Sequence, residues 1–135
     1  MEIPQLDLLQ QDLSGHVIRP GDALYEAASK TFIHKGAPAL VVRPTTSQDV
    51  AIAIGYAREH SLTLSVRSGG HSFAGFGTNT GGLVIDLSAM KDIQLIDPAK
   101  HSVRIEAGAT WGEVAEELAH HRLAISSGDT KSVGV

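Results

Sequence analysis

Val66-Arg67-Ser68-Gly69-Gly70-His71-Ser72 opens a stretch that runs on through Gly75, Gly77, Gly81 and Gly82. Six glycines therefore fall between positions 69 and 82. Glycine permits positive φ and close backbone approach to a ligand, but it costs conformational entropy, so such a cluster asks for a reason. Successive exposed backbone N–H groups form a concave anion site suited to phosphate. Arg67 adds a positive charge able to make paired hydrogen bonds to phosphate or carboxylate. Ser68 and Ser72 can donate further hydrogen bonds. His71 stands among the glycines as an imidazole that titrates near physiological pH and is a good nucleophile when neutral. The same composition also reads as a long flexible loop carrying a surface histidine. No Gly-Lys-Ser/Thr follows, so the stretch is not a P-loop, and it lacks the spacing and following helix of the dinucleotide fingerprint. Phosphate binding here would use a loop and not a helix N-terminus.

Strand patterns flank the loop. Leu62-Thr63-Leu64-Ser65-Val66 alternates into it, and Leu83-Val84-Ile85-Asp86-Leu87 follows it. Upstream, Ala39-Leu40-Val41-Val42 is an apolar run closed by Pro44 and reads as a buried strand. Thr46 and Asp49 make a capping-box pattern ahead of an apolar stripe of Val50, Ala53, Ile54 and Ala57. Strand, helix and strand in that order predict a βαβ unit with a parallel pair. Downstream, 93–96 and 103–107 flank the turn signal Asp97-Pro98-Ala99-Lys100 and predict a hairpin. Thr110 and Glu113 make a second capping box before a helix with Val114, Ala115, Leu118 and Ala119 on one side. That helix ends in His120-His121-Arg122, suited to the C-terminal dipole. Ala124-Ile125-Ser126 is expected to start another strand. Near the N-terminus, helices are expected over 5–14 and 23–32, with Gly15, Pro20 and Gly21 punctuating a loop between them.

A chain of 135 residues is the size of one domain. The net charge of −4, with no basic run, gives no footprint for nucleic acid. No apolar run approaches the ~20 residues of a membrane span. The N-terminus lacks the basic and apolar regions of a signal peptide. Cysteine is absent, which removes disulfides, thiolate metal sites and cysteine nucleophiles and fits a cytoplasmic protein. His120 and His121 are adjacent and point about 100° apart on a helix, so they do not pair as zinc ligands, and no metal is expected. Glu113, Glu116 and Glu117 read as a solvent face, Asp86 as a maker of structural hydrogen bonds, and Trp111 as a packing residue. The last residues before Val135 are glycine, small and β-branched types, an unusual place for a domain to stop, so a truncated domain is expected.

At this point the sequence resembles a family. Val66 to Ser72 is similar to the flavin-attachment motif of the vanillyl-alcohol oxidase / p-cresol methylhydroxylase superfamily, and within it of the berberine-bridge-enzyme-like FAD-linked oxidases. Pro44 to Val50 resembles that family's lead into its first large helix. Gly82 to Met90 resembles the strand after the loop, Val103 to Trp111 the segment before the next helix, and Gly128 to Val135 a second FAD-binding stretch. The blocks lie in the family's order across about residues 36–135.

The resemblance implies an α+β fold of the p-cresol-methylhydroxylase type: a lead-in over 1–35, one small α/β subdomain over about 36–90, and a second, incomplete, from about 91. It implies FAD as cofactor, with His71 bonded to the flavin 8α-methyl group as an anchor and not as a general base. The backbone of Ser68, Gly69, Gly70 and Ser72 would cradle the pyrophosphate, and Arg67 would help hold the loop or the phosphates. Gly128, Asp129, Thr130, Val133 and Gly134 would supply the second stretch. Many relatives carry a second tether, a cysteine, where this chain has Thr130, so a single covalent bond is expected. The implied activity is hydride transfer to FAD from an alcohol or related C–H bond of a small molecule, with oxygen or another acceptor closing the cycle. The catalytic base would lie beyond Val135. Two other readings stay open: an inactive fragment with weak or no flavin binding, and a nucleotide-binding module with no redox role.

Overall fold

The computed structural model describes residues 6–135. Four strands form the main sheet: β1 (His16–Ile18), β2 (Leu40–Arg43), β3 (Leu64–Arg67) and β4 (Leu83–Asp86), in the order β1-β2-β4-β3. β4 is parallel to both β2 and β3, and β1 closes the edge antiparallel to β2. The expected βαβ unit thus forms with one difference. β2 and β3 run parallel, but β4 lies between them. Leu83, Val84 and Ile85 are completely buried, as are Leu40, Val41 and Val42. Continuously apolar strands belong at the centre of a parallel sheet, where both faces are covered.

Helix α1 (Leu6–Asp12) and helix α3 (Ser47–Glu59) cover one face, packing Leu9, Ala53, Tyr56 and Ala57 against Leu40, Val42, Leu83 and Ile85. The short helix α2 (Tyr25–Ala28) covers the other face, over Val41 and Val84. α1 falls within the expected 5–14, of which residue 5 lies outside the described residues. The helix expected over 23–32 shrinks to α2, and β1 occupies what was expected to be loop. In α3, Ile54 of the expected stripe is exposed and Tyr56 is buried in its place. The capping box forms as expected, with Thr46 Oγ1 accepting from Asp49 N–H and Asp49 accepting from Thr46 N–H.

β3 turns its apolar side chains away from the core. Leu64 and Val66 face outward, and Ser65 and Arg67 face inward. Register explains this: Arg67 pairs with Asp86 across the ladder, and the two side chains form an ion pair. In a period-2 strand that choice turns every alternate side chain with it.

The remaining elements build a second layer. β5 (Ile93–Asp97) and β6 (Ser102–Ile105) form the expected hairpin. α4 (Trp111–His120) packs Val114 and Leu118 on it, with Trp111 at the edge of the same cluster. Ala115 and Ala119 are exposed, contrary to the expected stripe. The second capping box, Thr110 with Glu113, also forms. The strand expected at 124–126 does not. That segment is irregular and leads to residues that dock on the start of α4, where Trp111 and Gly112 N–H donate to Val133 and Lys131 O at 2.9 Å.

Candidate cofactor site

The glycine loop leaves the C-terminal end of β3 and returns at the start of β4. In parallel sheets, ligands gather at that edge. Arg67, the last residue of β3, is buried. Its guanidinium donates to Ala28 O at 2.6 Å, to Lys30 O at 2.7 Å and to Asp86 Oδ2 at 3.1 Å. Arg43 reaches the same carboxylate oxygen at 2.9 Å. Burial opposes the charge on Asp86, but Arg67, Arg43 and the bonds from Ser88 outweigh it and hold the carboxyl below its usual value. Of the two roles open to Arg67, the structure displays the first: these bonds hold the loop's root and point into the protein.

An open cleft of about 320 Å³ is lined by Val66, Ser68, Gly69, Gly70, His71 and Ser72 of the loop together with Val133 and Gly134. Two stretches far apart in sequence thus share one wall. They touch through backbone. A Cβ on Gly69 would lie 2.5 Å from the Gly134 nitrogen and 2.7 Å from Ser132 O. A Cβ on Gly134 would collide with Ser68 and Gly69 in turn. Only residues without side chains allow this approach.

These residues suit an anionic diphosphate. Among the described residues, the N–H groups of Gly69, Gly70, His71 and Ser72 donate to no protein acceptor. The Ser68 hydroxyl is buried without a partner. Successive free donors on a loop that lines a cleft suit an anion, and an orphaned buried hydroxyl asks for a ligand. Gly128, Asp129 and Thr130 do not line the cleft, although Gly128 and Thr130 adjoin Val133. Gly128 packs by Trp111, Thr130 Oγ1 is 3.4 Å from Ser132 Oγ, and Asp129 is exposed. The described geometry brings Val133 and Gly134 to the loop but not these three.

Phe32 and Phe76 were not legible as site residues. Phe76 lines the cleft. Phe32 stacks on His71 with ring centroids 4.5 Å apart and planes at 17°. An aromatic residue set among glycines, as Phe76 is, was the one available signal. Phe32 lies outside any motif.

A family described as FAD-binding domains matches residues 38–135. The chain belongs to that family. The FAD-binding domain is similar to (R)-6-hydroxynicotine oxidase of Paenarthrobacter nicotinovorans, 38% identical over 124 residues, covering 90% of this chain and 27% of that protein. It superposes on the crystal structure of 6-hydroxy-D-nicotine oxidase from Arthrobacter nicotinovorans with a TM-score of 0.86 at 37% identity, covering 90% of this chain and 27% of that one. A chitooligosaccharide oxidase structure matches with a TM-score of 0.83 at 28% identity, covering 96% of this chain and 28% of that one. The chain therefore spans about a quarter of the length of these relatives. The α+β architecture is that of the FAD-binding domains of the vanillyl-alcohol oxidase / p-cresol methylhydroxylase family, and FAD is the cofactor of the domain. Among the described residues, no helix is long and apolar enough to cross a membrane.

Proposed function

We propose that this chain is the FAD-holding part of an oxidoreductase that oxidises a small molecule at an alcohol or related C–H bond. The observation that carries this reading is the apposition of Gly69 and Gly134 at the start of a run of free N–H donors that includes His71. When bound, FAD supplies the acceptor for a hydride, and dioxygen or another oxidant restores it. The residues here bind and orient it. The N–H groups of Gly69 to Ser72 and the Ser68 hydroxyl would hold the diphosphate, and Val133 and Gly134 would close over it. Gly128, Asp129 and Thr130 would extend this wall once the cofactor is in place.

His71 would anchor the cofactor through one bond to its 8α-methyl carbon. An imidazole nitrogen of His71 would give up its proton and take the place of one methyl hydrogen, and the flavin, itself a two-electron acceptor, would supply the oxidising equivalent, so no further reactant would be needed. The absence of cysteine from all 135 residues leaves no thiol here for a second tether. It also supports a cytoplasmic setting. The relatives are named for oxidising a hydroxynicotine and chitooligosaccharides, which supports a hydroxylated small molecule as the substrate class.

The test is a titration of the flavin-free protein with FAD and, separately, with ADP. Tighter binding of FAD, with bleaching of the flavin bands on reduction, is the expected result. Equal affinity for the two would sink the isoalloxazine site in favour of a nucleotide module. A protein that stays colourless with excess FAD would sink both.

A further inference from the structure

The segment ahead of β2 grips the glycine loop on both sides of His71. Thr31 N–H donates to His34 O at 2.8 Å, and His34 N–H donates to Thr31 Oγ1 at 3.0 Å, closing a tight turn. From this turn Phe32 N–H donates to Gly70 O at 3.0 Å. The Phe32 ring stacks on the His71 imidazole. Beyond the histidine, His34 Nε2 donates to Phe73 O at 2.8 Å, the carbonyl being able only to accept. A Cβ on Gly75 would lie 3.2 Å from His34 Cδ2, so the loop backbone rests on that ring, at a glycine with φ of +78°. The turn is itself tied down, because Arg67 bonds Ala28 O and Lys30 O and Thr78 Oγ1 bonds Ser29 O. All of it lies ahead of the region 38–135 that matches the family.

Phe32 is 69% exposed and belongs to none of the three apolar clusters. A ring left so open to water gains little from burial. Its distinctive contact is the imidazole. We propose that the Thr31–His34 turn is a positioning clamp for the flavin loop, and that Phe32 is the residue that sets the plane of the His71 ring for attachment. This rests on the tether proposed above. An imidazole rotates freely about its outer bond in a wide, shallow well. A nucleophile gains rate when the reacting nitrogen is held in line with its target. A stacked partner narrows that rotation without occupying either ring nitrogen.

The experiment compares the intact protein with Phe32→Leu and Phe32→Tyr, each prepared flavin-free and then mixed with FAD. Because Phe32 lies outside the apolar clusters, both variants are expected to fold. Three quantities are read: the rate at which protein mass rises by one FAD, the reversible affinity before attachment, and the proton shifts of the His71 ring. Phe32→Leu is expected to slow attachment by about threefold to tenfold, the range an aromatic pair contributes. It should leave reversible affinity unchanged and remove the ring-current shift from the His71 protons. Phe32→Tyr should restore both rate and shift. Attachment by Phe32→Leu at the parental rate would overturn the proposal, and so would equal slowing by Leu and Tyr. A parental protein that gains no FAD mass at all would overturn the tether itself, and the role of Phe32 with it.

Discussion

Gly69 and Gly134 lie so close that neither can carry a side chain: a Cβ on Gly69 would stand 2.5 Å from the Gly134 nitrogen, and one on Gly134 would stand 2.7 Å from Ser68 Cβ. Sixty-odd residues separate them in the chain, yet this contact joins the main sheet to the layer of α4.

Substitution at that contact is therefore expected to damage stability and binding together. Gly69→Ala and Gly134→Ala each force backbone apart, at about 1–3 kcal/mol by analogy with overpacked cores. Thermal unfolding and FAD titration measure the two effects. An alanine variant with unchanged midpoint and affinity would show that the two stretches are not held together in solution.

The buried ion pair predicts a different pattern. Arg67→Met leaves Asp86 with Arg43 alone, and removing one partner of a buried pair costs about 3–5 kcal/mol. The same change releases the carbonyls of Ala28 and Lys30, so the clamp should loosen. Denaturant unfolding gives the cost. A double variant, Arg67→Met with Asp86→Leu, should recover part of it, because the buried carboxylate leaves together with its buried guanidinium and the Arg43 side chain left behind is 30% exposed to water.

Acid should unfold the protein through specific carboxylates. Asp86 is depressed by its arginines against the cost of burial. Asp49 is depressed, again against burial, by hydrogen bonds from Thr45, Ser14 and Thr46. Glu113 is depressed by Lys91 and Thr110. Each binds fewer protons folded than unfolded. Their contribution is fully present above the unfolded values of about 4 and is lost as pH falls through the lower folded values. Urea midpoints measured from pH 7 downward should stay level to about pH 5 and then decline. Asp86→Asn, at lower overall stability, should flatten that decline.

His71→Ala is expected to abolish covalent flavin while leaving a reversible site. The proposed diphosphate donors are the backbone N–H groups of Gly69 to Ser72 and the Ser68 hydroxyl, none of which the substitution removes. Intact mass after denaturation reports the bond, and flavin fluorescence reports the reversible site. FAD mass retained by His71→Ala would place the tether on another residue.

The two capping boxes and the hairpin were legible because their partners lie within a few residues of one another. Thr46 finds Asp49 and Thr110 finds Glu113 by helical geometry alone, whatever surrounds them. The glycine loop and its ordered flanking blocks were legible as well, and they carried the family resemblance and FAD. The strand order was not. The patterns of β2, β3 and β4 all read as strands, but nothing local says that β4 lies between the other two. Nor did the alternation of β3 reveal which face is inward. Leu64 and Val66 look like core residues until the pairing of Arg67 with Asp86 turns them out.

By itself, then, the sequence determined α1, α3, α4 and the strands β2 to β6, the two capping boxes, the glycine loop with His71, and through its ordered blocks the family and its cofactor, because each is written in neighbours along the chain. Tertiary structure alone decided that Arg67 faces inward to Asp86, that Gly134 closes on Gly69, and that Phe32 lies on His71. Each of those is a contact between residues 19 to 65 positions apart, and such a contact exists only once the sheet order has brought the two segments to the same edge.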